Sequence, residues 1–133
     1  MKYYAMILFM FAVASCQTST VGKKLKGCDS LVITFNHPGT DSVLQSVSTT
    51  ETKAIQKIAG FLDGKTVTPG SCDFNGNMLF FKAGRQVLPV VFKYSSDNCH
   101  EFVFDLDNKI MNTRMDNEAV DFLKSLSGGK NWY

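Results

Sequence analysis

The sequence has no large excess of charge of either sign, since 14 lysines and arginines stand against 12 aspartates and glutamates. Proteins that bind nucleic acid electrostatically present a strongly basic surface, which displaces counterions from the phosphates. This composition therefore excludes nucleic acid as a partner. The sequence also lacks an apolar run of the ~18 residues that a membrane-spanning helix needs, so no conventional transmembrane segment is predicted.

Catalytic motifs are missing as well. The chain has only two histidines, and it contains no G-x-S-x-G, no phosphate-binding glycine loop and no H-E-x-x-H. His37 and Asp41 form a candidate acid–base pair, but they stand in Asn36-His37-Pro38-Gly39-Thr40-Asp41, a composition that is typical of a turn. We therefore predict no catalytic residue, no metal site and no cofactor.

The first sixteen residues are informative. Lys2 supplies a positive charge, and residues 5–14 follow without a charged side chain, which is the pattern of an export signal. The apolar run ends in Val13-Ala14-Ser15-Cys16, which resembles the lipobox of bacterial lipoproteins. That resemblance implies a signal peptide over residues 1–15 and acylation of Cys16 as the new N-terminus. Cleavage after Ala14 remains the alternative and would give a secreted or periplasmic protein.

The resemblance to small bacterial cell-envelope lipoproteins also implies a location. The chain would be anchored to a membrane through its N-terminal lipid, and Gln17 after the cysteine resembles the residue type associated with outer-membrane sorting. Residues 16–27 are mostly polar and include Lys23, Lys24 and Lys26. We therefore predict a flexible tether over this stretch, ahead of a single domain at residues 28–127 and a tail at 128–133.

The periodicity of apolar residues predicts an α+β domain with two layers. A strand at residues 31–35 and a weaker one at 42–48 precede a helix, whose start we place at a capping box over residues 48–51. Four strands then follow with short connections, at residues 77–83, 86–94, 99–106 and 109–115, and Asp116 caps a final helix. The prediction is an antiparallel meander sheet of about four to six strands packed against two helices.

Strand counting also predicts a disulfide. If Gly84-Arg85 forms the turn and Ala83 faces Gln86, Cys72 lies near Cys99, so we predict a Cys72–Cys99 bridge. The same region holds Asp73 and His100, and a small enzyme or a metal or ligand carrier built on these four side chains is an alternative. Neither C-x-x-C nor H-x-x-x-H spacing is present, which favours the structural disulfide.

The same register assigns side chains to the two faces of the sheet. Leu79 and Phe81 fall on the face predicted to form the core, together with Leu88, Val90, Phe92, Phe102, Phe104 and Met111. The other face collects an apolar group and, beside it, a charged row predicted to be a solvated set of ion pairs. Its predicted binding residues are Met78, Phe80, Val91, Val103, Lys93, Glu101 and Arg114, accompanied by Val87 and Pro89.

An exposed apolar group on a sheet usually marks a contact. The cover is either internal, supplied by the first strand or by residues 66–74, or it is a protein partner. We therefore expect an envelope-anchored binding or inhibitor-like module without catalytic activity. A purely structural envelope component is the remaining alternative.

Overall fold

The computed structural model describes residues 20–96, 98–130 and 132. The predicted signal peptide at residues 1–15 and the acylation site Cys16 lie outside the described residues. The elements are α1 (Thr20–Leu25), β1 (Ser30–Asn36), β2 (Val43–Thr49), α2 (Thr52–Phe61), β3 (Gly76–Lys82), β4 (Arg85–Lys93), β5 (Glu101–Leu106), β6 (Lys109–Arg114) and α3 (Asn117–Ser127).

The six strands form one open antiparallel sheet in the order β2-β1-β3-β4-β5-β6. β3 to β6 are the predicted meander, and β1 extends it by pairing with both β2 and β3. Because β1 lies between its two neighbours, the chain leaves β2 at the sheet edge, passes through α2 and returns to β3. The predicted α+β class with an antiparallel sheet is confirmed.

The three helices pack on one face of the sheet and form the core with it. α2 contributes Ile55 and Ile58 at helical spacing, and α3 contributes Val120, Leu123 and Leu126. Alternate residues of the strands meet them, and every one of these is almost fully buried: Leu31, Ile33, Phe35, Met78, Phe80, Leu88, Val90, Phe92, Phe102 and Phe104. Apolar residues recur at every second position in the strands and at every third or fourth position in the helices. Their side chains therefore meet in one layer between the sheet and the helices.

Aromatic contacts connect the helices to one another and to the C-terminal segment. The rings of Phe61 in α2 and Phe122 in α3 lie 5.8 Å apart. Trp132 continues the cluster, with 6.4 Å between its ring centroid and that of Phe122. Part of the predicted tail at residues 128–133 therefore contacts the domain.

The two predicted helix starts have different outcomes. Asp116 caps α3 as predicted, since its side chain accepts a hydrogen bond of 2.8 Å from the Ala119 N–H. The capping box predicted at residues 48–51 is wrong, because β2 continues to Thr49 and the N-cap of α2 is Glu51, without a side-chain cap bond. Ser48 is paired with Val32 in the sheet, so it cannot cap the helix.

The predicted tether at residues 16–27 is wrong for its described part. Residues 20–25 form α1, whose Val21 and Leu25 are only 5% and 4% exposed and belong to the core. These two apolar residues are four apart and therefore share one face of a helical turn. This pattern consists of only two apolar residues among lysines and small residues, so the sequence did not indicate a helix here. The folded domain thus includes residues 20–25, ahead of its predicted boundary at residue 28.

No helix in the described part of the chain is long and apolar enough to cross a membrane.

Candidate functional site

The turn between β3 and β4 decides which side chains reach the surface of the sheet. It consists of Ala83 and Gly84, with φ of 50° and 76°, and Lys82 pairs with Arg85. The predicted turn at Gly84-Arg85 is therefore wrong by one residue. Positive φ at both central positions is the geometry of a two-residue turn that matches the twist of paired strands, which explains why this register is preferred.

This shift reverses the predicted faces of β3. Met78 pairs with Val90 instead of Val91, and a bulge next to Phe80 adjusts the register towards the turn. A one-residue shift moves every side chain of a strand to the opposite face. Met78 and Phe80 are consequently 0% exposed and lie in the core, so their placement on the exposed face was wrong. Leu79, predicted for the core, lies on the other face and is half-buried.

We define the open face as the side of the sheet that faces away from the helices. Its centre is an apolar strip in which Leu79 pairs with Pro89 and Val91 pairs with Val103. Ile110 extends the strip on β6 and is 64% exposed, whereas Val91 is 36% exposed. Together these five residues line a shallow depression of about 510 Å³. Of the predicted binding residues, Val91 and Val103 therefore lie where they were expected.

The charged row lies at one end of the open face in the predicted register. Lys93 pairs with Glu101, and Glu101 pairs with Arg114 across the next strand. Lys93 Nζ and Glu101 Oε1 form an ion pair of 3.3 Å. The prediction that the row is solvated is wrong, because only 3% of the Glu101 side chain and 18% of the Lys93 side chain are exposed. Arg114 is exposed.

The segment that covers this ion pair is the connection between α2 and β3. The Gly70 N–H donates to Glu101 Oε1 at 3.2 Å, and the Gly70 carbonyl accepts from Lys93 Nζ at 3.2 Å. Asn112 Nδ2 donates to the second oxygen of the Glu101 carboxylate at 3.4 Å. The cover from residues 66–74 therefore exists, but it protects the charged end and leaves the apolar strip uncovered by its contacts.

A disulfide fixes this cover to the sheet. Cys72 and Cys99 are bonded, with their Cα atoms 6.1 Å apart and 27 residues apart in sequence, so the predicted bridge is confirmed. Both cysteines lie beyond the strand ends, where the one-residue error in the hairpin register made no difference. A Cβ at Gly70 would lie 3.1 Å from Cys99 Sγ, which shows how closely the segment approaches the bridge.

Cys28 is a free thiol, and it is buried where the chain passes from α1 to β1. Burial raises the pKa of the Cys28 thiol, and the negative charge of Asp29 raises it further, while Lys82 acts in the opposite direction. A buried thiol with a raised pKa holds little thiolate at neutral pH and is a poor nucleophile. Cys28 therefore has the character of a core residue.

The alternative site at Cys72, Asp73, Cys99 and His100 loses its two thiols to the disulfide. Asp73 packs against the β1–β2 turn, since a Cβ at Gly39 would lie 2.9 Å from its carboxyl carbon. The space near His100 and Glu101 amounts to about 90 Å³. Among the described residues, no three His, Cys, Asp or Glu side chains are grouped so that they could hold a metal ion.

The His37 loop is a turn between β1 and β2, as its composition predicts. The His37 N–H donates to the Ser42 carbonyl at 2.9 Å, and the His37 carbonyl accepts from both the N–H and the hydroxyl of Thr40 at 3.0 Å. His37 and Asp41 are both exposed. These bonds close the hairpin.

A groove between α1 and α2 was not predicted from the sequence. It has a volume of about 770 Å³, and its apolar lining includes Leu25, Cys28, Ile55 and Ala59. The groove exists only because α1 folds onto the domain. The one sequence feature that could have indicated it is the spacing of Val21 and Leu25.

Comparison of the chain with models of protein families, with curated proteins and with solved structures finds no match.

Proposed function

We propose that this chain is a lipid-anchored protein of the bacterial cell envelope whose domain binds a protein partner through the open face. The observation that carries the proposal is the apolar strip, because its side chains stay accessible while all three helices pack on the opposite face. A contiguous apolar group on an exposed sheet face often marks a site of contact.

The shape of the strip favours a protein over a small molecule. Small-molecule sites are concave and enclose most of the ligand surface. The depression beside Val91 and Val103 is instead formed by neighbouring strands of one sheet, and its rim includes Asn77 and Asp105. An apolar centre with a polar rim is the usual anatomy of a protein interface. The partner would present an apolar patch with a basic group positioned to meet the exposed Asp105 carboxylate.

The membrane anchor is supported by the sequence of the N-terminus. Val13-Ala14-Ser15-Cys16 has the lipobox pattern, and the folded domain includes Thr20, a few residues further on. The anchor is tested by the mass and N-terminal sequence of the mature protein from bacterial membranes. Acylated Cys16 as the first residue supports the proposal, and Cys16→Ser then releases the protein. A mature chain that begins with an unmodified Ser15 would reject the anchor.

The binding face is tested with two matched substitutions on the same domain. Val91→Asp places a charge in the centre of the strip, whereas Val43→Asp places the same charge on the edge strand β2, at a site that is 58% exposed. Envelope proteins that co-purify with the parent are purified and titrated against all three forms. A partner that binds the parent and Val43→Asp stoichiometrically but binds Val91→Asp at least about tenfold more weakly supports the proposal. Equal binding to all three forms would show that the partner does not bind through the open face.

A further inference from the structure

We propose that α1 and the adjoining hairpin end form a basic surface that binds the anionic headgroups of a phospholipid bilayer and directs the open face away from the membrane. This surface, here called the α1 surface, consists of Lys23, Lys24, Lys26 and Lys82. Its position next to the membrane rests on the proposed anchor at Cys16, whereas its affinity for headgroups is a property of the folded domain.

The charge of the domain is divided along the chain. Lys23, Lys24 and Lys26 precede the first acidic residue, which is Asp29. Apart from Lys82, the chain from Gly27 to the C-terminus holds nine basic and twelve acidic residues, so the rest of the domain is negative. An anionic bilayer therefore attracts the α1 surface and repels the remainder, and the summed field orients the domain.

The fold fixes these lysines in place. Val21 and Leu25 are buried in the core, which leaves the three lysine side chains pointing outwards, and all three are exposed. Lys82 at the end of β3 adds a fourth charge close to the other three. Its ammonium nitrogen lies beside Gly27, so that a Cβ on this glycine would be only 3.2 Å away from it. Asp29, the nearest acid in sequence, accepts a hydrogen bond of 3.0 Å from the Ala83 N–H.

The short connection to Cys16 brings the same surface to the membrane. Four residue steps separate Cys16 from Thr20, and even a fully extended chain covers only about 14 Å over that length. An acylated Cys16 therefore holds the start of α1 within reach of the headgroups. A long flexible tether would have allowed any orientation, but the folding of α1 removes most of that freedom.

The position of α1 in the fold determines which side faces outwards. α1 packs on the helical side of the sheet, in contact with α2 and β4. The open face is on the opposite side, and its exposed acidic residue Asp105 lies next to the apolar strip. With α1 against the bilayer, the strip points into the aqueous space, where a protein partner can reach it.

The test uses residues 17–133, which lack the proposed acylation site Cys16, so that the result does not depend on lipidation. Binding is measured by co-sedimentation with vesicles of phosphatidylcholine containing phosphatidylglycerol, and with vesicles of phosphatidylcholine alone. Lys24→Gln/Lys26→Gln removes two charges from the α1 surface. Lys124→Gln/Lys130→Gln is the matched control, because these exposed lysines belong to the C-terminal end of α3 and the residues after it.

We expect binding to the anionic vesicles only, weakened about 25-fold by the α1 pair and only slightly by the control pair, since each lysine near a surface contributes about a fivefold factor. Asp105→Asn should leave the affinity within about twofold. Equal losses for both lysine pairs, or equal binding to neutral vesicles, would overturn the proposal. If Asp105→Asn bound the anionic vesicles clearly more tightly than the parent, the proposed orientation would be overturned. An unacylated N-terminus in cells would reject the anchor while leaving this vesicle result unaffected.

Discussion

Lys93 and Glu101 form an ion pair of 3.3 Å on the open face, and the Glu101 carboxylate is almost completely removed from solvent. Three further bonds hold the pair in place, two to the Gly70 peptide and one to Asn112. A buried carboxylate with these partners has a structural role: it fastens the connection between α2 and β3 to the sheet. The apolar strip is thereby bordered at this end by a hydrogen-bonded ion pair.

Removal of the Lys93 ammonium group should lower the stability of the domain substantially. Lys93→Met leaves the Glu101 charge buried without its cation, and we expect the free energy of unfolding to fall by about 3 kcal/mol. Lys109→Met, an exposed lysine on β6, should change it by less than about 0.5 kcal/mol. Urea denaturation measures both. Similar values for the two variants would show that the pair at Glu101 contributes nothing.

The disulfide should stabilise the same connection from its other end. Cys72→Ser/Cys99→Ser opens a loop of 27 residues, and we expect the protein to lose about 3.5 kcal/mol of stability through the greater freedom of the unfolded chain. Guanidinium denaturation of the oxidised parent and the double variant checks this value. If the double variant unfolds at the same denaturant concentration as the parent, the bridge does not constrain the domain.

The Cys28 thiol makes stability depend on pH in the alkaline range. Burial raises its pKa in the folded protein, so the folded state retains a proton that the unfolded state releases above about pH 8.5. Stability is therefore fully present below that pH and falls as the pH rises towards the folded pKa. Tyr94, whose pKa burial also raises, contributes only at higher pH.

Urea denaturation between pH 7.5 and 9.5 tests this dependence. We expect the parent to lose stability across the range and Cys28→Ala to be less stable but flatter. In the same range, iodoacetamide should modify Cys28 far more slowly in the folded protein than in urea. An identical slope in Cys28→Ala would assign the pH dependence to other groups.

The two helix caps offer a paired comparison. Asp116→Ala removes the bond to the Ala119 N–H and should destabilise the domain by about 1 kcal/mol. Glu51→Ala should cost much less, because the Glu51 side chain makes no cap bond in α2. Thermal unfolding of both variants provides the test, and a larger effect of Glu51→Ala would contradict the assigned caps.

Local patterns predicted much of this fold. The cap at Asp116 follows from one residue before a helical repeat, and the meander follows from alternation and short turns. Local patterns could not predict which side chains of β3 face the core. That assignment depends on whether Ala83 belongs to the turn, where it has a positive φ that is uncommon for alanine.

The environment of the candidate site depended on contacts between distant parts of the chain. Glu101 is buried by Gly70, which lies 31 residues away, and no local pattern in β5 indicates that cover. The sequence pattern of α1 is weak, because only two apolar residues, Val21 and Leu25, mark its buried face among lysines and small residues. Both features arise from tertiary packing, which local propensity does not report.

Isothermal titration of the purified partner with the parent domain, Val91→Asp and Val43→Asp tests directly whether the open face is the binding surface. We expect Val91→Asp to weaken binding at least about tenfold and Val43→Asp to bind like the parent. Circular dichroism and thermal unfolding establish that both variants are folded. Undiminished binding by folded Val91→Asp would contradict the central claim that the open face is the binding surface.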